Sequence, residues 1–256
     1  MRFGVCKSLE NAQLVKDNGY DYIEANLQSI AKMSEQEFES QLEFLKQADI
    51  PCESSNCFFP SSLMLVGDDV DYEKIAQYAE CALSRAAKLG VKVSVMGSGK
   101  TRNVPDGYDR QKATDQFKRV VTLCSDIARK YGIKIALEPL NHGETNMLNT
   151  VAQAYEFCRE LADDNVGIVA DFYHIFMVNE PVEDVVTAKD YIFHLHIARP
   201  NEDRLAPSVA DADTLKIWAD AVKAAGYNGR LSLECTSKTD FVGALQSMAE
   251  VKYIFS

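Results

Sequence analysis

The stretch DYIFHLHIARP (190–200) holds two of the chain's four histidines, one residue apart. Its aromatic and β-branched residues read as a strand, in which residues i and i+2 share a face. His194 and His196 therefore point one way, and Tyr191, Phe193, Leu195 and Ile197 the other. One face is fit for burial against helices and the other for chemistry.

Strands of similar kind recur along the chain at RFGVC (2–6), DYIEAN (21–26), PCESSN (51–56), VKVSVMG (91–97), IKIALEP (133–139), VGIVAD (166–171) and RLSLEC (230–235). Between them lie longer segments of helical periodicity, such as 71–89 and 109–131, and glycines close several of them at KLG, KYG and AAGYNG. Eight strands alternating with helices predict a parallel (β/α)8 TIM barrel, one domain over residues 1–256. The polar ESSN makes the third strand the weakest of the eight. An open doubly wound sheet is the competing fold, but no GxGxxG follows the first strand.

Composition narrows the function. The chain has 256 residues, 46% hydrophobic residues and a formal net charge of −11. It has no run of about 18 apolar residues of the kind that spans a membrane. Its first residues hold too short an apolar stretch for a signal peptide. Seven cysteines without a CxxC motif predict free thiols in the cytoplasm. The acidic balance disfavours nucleic acid and anionic membranes as partners.

In a barrel, strand residues alternate between helix-facing and interior positions, and active sites form at the strands' C-terminal ends. With Ile133, Ile135 and Leu137 outward, Glu138 ends its strand facing in. With Val166, Ile168 and Ala170 outward, Asp171 does the same. His196 and Glu234, the latter after outward Leu231 and Leu233, complete the set. Four consecutive strands thus bring one metal-capable side chain each to a single rim. Three carboxylates and one imidazole suit a divalent ion: Mn²⁺ first, with Co²⁺, Mg²⁺ or Zn²⁺ as alternatives. Without a cation between them the carboxylates would repel and raise one another's pKa.

At these residues the chain resembles a known family. The segments LEPLNHGETNMLNT (137–150), DFYH (171–174), HLH (194–196) and LSLE (231–234), with the loop GSGKTRNVPDG (97–107), are similar to the sugar isomerase/epimerase family of xylose-isomerase-like barrels. Within it the resemblance is to the D-tagatose 3-epimerase and D-psicose (allulose) 3-epimerase group. The resemblance implies a metal held by Glu138, Asp171, His196 and Glu234, with Glu138 and Glu234 also transferring the proton. It implies that Glu144, His174 and Arg204 hold substrate hydroxyls. His142 and Gly143 stand where the family has an arginine and an aromatic residue, and Arg199 competes with Arg204 for its role. It also implies a small-molecule sugar substrate, and homo-oligomerisation is a further expectation because such barrels often pair.

The implied chemistry suits the residue types. Removing a proton from a hydroxyl-bearing carbon beside a carbonyl gives an enediolate, which a divalent Lewis acid stabilises by several kcal/mol. One glutamate removes the proton and the other returns one. Return to the same carbon is epimerisation, and return to its neighbour is aldose–ketose isomerisation. Hydroxypyruvate isomerase and inosose dehydratase are related alternatives. An endonuclease-IV-like repair nuclease is disfavoured by four histidines and the acidic charge.

The remaining candidates read as structural. His194, one layer deeper than His196, is expected to be a hydrogen-bonded core histidine; Glu24 could reach the site floor, with an ordinary strand-end charge the favoured reading. Lys100 and Arg102 lack P-loop spacing and read as parts of an anchored loop. Cys6, Cys52 and Cys57 read as small apolar fillers, with a place lining the barrel mouth as the alternative for Cys6, and Trp218 as packing.

Overall fold

The computed structural model describes residues 1–236 and 241–256. Its strands are β1 (Arg2–Cys6), β2 (Tyr22–Asn26), β3 (Cys52–Asn56), β4 (Val93–Met96), β5 (Lys134–Leu137), β6 (Val166–Asp171), β7 (Ile192–Ile197) and β8 (Arg230–Leu233). All eight pair in parallel with their sequence neighbours, and β8 pairs with β1, so the sheet closes. This is the expected TIM barrel.

The helices around it are α1 (Ala12–Asp17), α2 (Leu27–Lys32), α3 (Glu35–Ala48), α4 (Tyr72–Leu89), α5 (Arg110–Lys130), α6 (Val151–Leu161), α7 (Phe172–Met177), α8 (Glu183–Thr187), α9 (Ala212–Ala224) and α10 (Phe241–Phe255). Local chemistry sets several of their ends. Asp71, Asp109 and Thr150 cap α4, α5 and α6 by accepting a backbone N–H three residues on. Gly90 ends α4 at φ 99°, a left-handed conformation that costs glycine least. None of the described helices is long and apolar enough to cross a membrane.

The main core lies between strands and helices. It contains Ile133, Ile135, Leu137, Val166, Ile168, Ala170, Leu195, Ile197, Leu231 and Leu233, the side chains read as outward. Trp218 packs there too, stacked on Phe172 with ring centroids 5.0 Å apart. A much smaller apolar cluster of Val93, Val95, Ala136 and Val169 fills the interior.

Two register shifts modify the simple alternation. Between β6 and β7, Ile168 faces Ile192 but Val169 faces His194, so Phe193 is an extra residue on β7. Phe193 therefore packs against the interior cluster, not outward as alternation predicts, and Ile192 joins the outer core in its place. Between β2 and β3, Glu53 is the extra residue. That strand is polar because its side chains bond polar groups of other strands. Glu53 binds Arg2 at 2.5 Å and Arg230 at 2.6 Å near the strands' N-terminal ends. Ser54 and Asn56 reach glutamates nearer the other end.

Candidate active site

The rim is built from strand ends. Glu138 follows β5, and its carbonyl accepts 2.6 Å from Nη2 of Arg102. Arg102 is fully buried and its Nη1 also reaches the Met96 carbonyl at 3.4 Å, so the loop after β4 is anchored behind Glu138. Burial lowers the Arg102 pKa to about 10. Asp171 ends β6 and caps α7: its Oδ1 accepts from the Tyr173 N–H at 2.9 Å, leaving Oδ2 for the site.

His196 lies between the carboxylates. Its Nδ1 is 3.2 Å from Glu138 Oε1 and 3.2 Å from Glu234 Oε2. One ligand atom from each of Glu138, Asp171, His196 and Glu234 falls within 4.8 Å of all the others. Oxygen and nitrogen ligands lie about 2.0–2.2 Å from such cations, which puts opposed donors about 4–4.4 Å apart. The donor set and its spacing therefore fit a divalent ion.

The electrostatics reflect crowding. Burial and the neighbouring Glu234 raise the Glu138 carboxyl above its usual pKa. Burial also pushes Glu234 up, but Arg204 and His196 outweigh it and hold that carboxyl well below the usual range. Burial would strip the proton from His196, yet Glu234 and Glu24 overcome it and keep the imidazole well above its usual value. A proton held at Nδ1 between two carboxylates marks the atom that a cation would take.

Arg204, at φ 51°, donates through Nη2 to Asp171 Oδ2 at 2.8 Å and to Glu234 Oε2. Its guanidinium sits 4.6 Å over the Tyr173 ring, and Nη1 is 3.9 Å from Glu144 Oε1. Arg199 instead binds Asp211 at 3.3 Å and Ser208 at 3.0 Å, so Arg204 is the arginine that enters the site. His174 is buried, and its Nδ1 faces the Asn141 N–H at 3.2 Å. A backbone N–H only donates, so Nδ1 accepts and Nε2 carries the proton. That Nε2 has no hydrogen-bond partner and lies 3.5 Å from Asp171 Oδ2 and 3.9 Å from Glu144 Oε1. Glu144 is held by Asn141 Nδ2 at 3.1 Å, whereas His142 is exposed.

Three residues of the site escaped the strand-end reading. Asn56 donates to Glu234 Oε1 at 2.8 Å, and Asn141 positions both His174 and Glu144. Glu24 corrects the expectation of an ordinary strand-end charge: it is fully buried and bonded to both His194 and His196. The parity that found Glu138 also places Glu24 inward, but a lone carboxylate gave no sign of its partners. Cys6 lies beside Glu24 and His196, where burial and then Glu24 push its thiol pKa up.

The family model described as the xylose isomerase-like TIM barrel matches residues 12–252. The chain is 29% identical over 252 residues to the inosose isomerase of Halalkalibacterium halodurans, covering 89% of this chain and 84% of that protein. It is 32% identical over 126 residues to a ketose 3-epimerase of Arthrobacter globiformis, covering 48% of this chain and 42% of that one. Its fold matches the crystal structure of the IOLI protein with a bound zinc atom at a TM-score of 0.79 and 22% identity, over 100% of this chain and 98% of the other. By its barrel and this match along nearly its whole length, the chain belongs to the xylose isomerase-like TIM barrel family.

Proposed function

We propose that this protein is a metal-dependent isomerase or epimerase that moves a proton beside the carbonyl of a keto-sugar or related polyhydroxy ketone. The observation that carries this reading is the pair Glu138 and Glu234. They come from strands three places apart, and each puts a carboxylate oxygen 3.2 Å from the same His196 nitrogen. Two carboxylates approaching one point from different sides are what removal and return of a proton on opposite faces of a carbon require.

Glu138, Asp171, His196 and Glu234 would hold the ion, with Mn²⁺ proposed first. When bound it would supply Lewis-acid stabilisation of the negative charge that develops as the proton leaves. Arg204 and the unpartnered Nε2 of His174 are donors aimed into the same space, suited to substrate hydroxyls, and Glu144 is an acceptor beside them. Seven cysteines, none of them paired, favour the reducing cytoplasm as its compartment.

A second reading within the same chemistry is a cyclic ketone. It is favoured by the extent of the inosose isomerase match, 89% of the chain against 48% for the ketose 3-epimerase. Both substrates present a hydroxyl-bearing carbon beside a carbonyl. A panel of ketohexoses, ketopentoses and an inosose, incubated with Mn²⁺-loaded protein, separates the two. Turnover of at least one, lost on chelation and restored by Mn²⁺, is the expected result. A metal-loaded protein inert across the panel contradicts the proposal.

A further inference from the structure

We propose that Glu24 is a positioning residue that sets which ring nitrogen of His196 faces the carboxylates. This rests on the metal reading above and adds to it the side chain that makes His196 a ligand through Nδ1. Glu24 lies at the barrel's centre with no solvent exposure. Its Oε1 is 2.9 Å from His196 Nε2. Its Oε2 is 2.8 Å from His194 Nε2, 2.7 Å from Ser54 Oγ and 2.5 Å from Ser232 Oγ. Ser232 Oγ is in turn 2.7 Å from the hydroxyl of Tyr22.

An ionised carboxylate only accepts hydrogen bonds, so the imidazole nitrogens that face it are donors. Glu24 therefore keeps the proton on Nε2, and the proton on Nδ1, between Glu138 and Glu234, is the one that a cation would displace to take that lone pair. The negative charge behind the ring also makes Nδ1 more basic, as carboxylates behind metal-bound histidines do. His194 braces the same carboxylate from the other side, its ring 4.9 Å from that of His196 and nearly perpendicular at 84°. Two histidines one residue apart thus share one acceptor, and only the one nearer the rim reaches the carboxylates.

One other arrangement is available. Cys6, Glu24 and His196 also bring ligand atoms within 4.8 Å of one another. A cation there would need an oxygen of Glu24, and both oxygens already face the donors His196, His194, Ser54 and Ser232.

The test uses zinc, a diamagnetic probe. Long-range ¹H–¹⁵N spectra of the full chain identify the nitrogen of His196 that keeps its proton, and titration gives the affinity. The expected result is an Nε2-protonated His196 that shifts on zinc binding, with affinity about 10–100-fold weaker in Glu24→Gln. Zinc bound through Nε2, or a folded Glu24→Gln that binds zinc as tightly as the parent, overturns the role of Glu24 alone. Zinc that leaves His196 unshifted, or fails to bind the parent, overturns the metal reading and this inference with it. Should Glu24→Gln not fold, the nitrogen assignment in the parent decides.

Discussion

Gly97 shows how closely the site is fitted around single atoms. A Cβ built there would lie 2.3 Å from Glu138 Oε2. The obstructed atom is the free end of a side chain, so Gly97→Ala should cost little stability and act instead by moving the carboxylate. Displacements near 1 Å can cost about 10²-fold in rate. A loss of that order, with a melting temperature close to the parent's, is expected from parallel activity and thermal assays. Full activity would mean that Glu138 needs no fixed position. At this scale the strand-end residues were legible because alternation alone sends Glu138, Asp171, His196 and Glu234 inward. Glu24, Asn56 and Asn141 were not, because their meaning lies in partners far along the chain: Glu24 with His196, Asn56 with Glu234, Asn141 with His174.

At the scale of elements, the same alternation fails where a strand carries an extra residue. Phe193 turns into the barrel against Gly167, whose missing side chain makes the room: a Cβ there would meet the Phe193 ring and the Tyr191 carbonyl at 2.5 Å. Gly167→Ala should therefore overpack the interior and cost about 1–3 kcal/mol. At about 2–4 °C per kcal/mol for a chain of this size, thermal melting should fall by roughly 2–12 °C. An unchanged melting temperature would show that the shifted register is not held by this contact. Nothing in YIFHLHI marks the shift, since Ile192 and Phe193 fit either face equally well. The helix ends were clearer, because Asp71, Asp109 and Gly90 signal a cap or stop by their own local chemistry. The polar ESSN made β3 the weakest strand in sequence. It is polar for the reason that makes it useful: Glu53 and Asn56 reach residues of β8 and its end, and Ser54 bonds Glu24 on the neighbouring strand β2.

For the whole molecule, closure of the sheet gives four side chains from four strands a common centre. Their polar cluster sits at the strands' C-terminal ends, and the arginine–glutamate pairs of Glu53 lie toward the opposite end. Packing in the outer core holds the strand ends in place: Asp171 and His196 lie within their strands, and Glu138 and Glu234 follow theirs by one residue. The central claim is that Glu138 and Glu234 exchange a proton with the substrate. It is tested most directly by running the Mn²⁺-loaded reaction in D2O and locating deuterium in the product. The account predicts deuterium on the epimerised carbon or its neighbour. It further predicts that Glu138→Gln and Glu234→Gln each lose at least the roughly 10²–10⁴-fold typical of general acid–base catalysis. Product free of deuterium, formed with clear turnover, would contradict the two-glutamate mechanism.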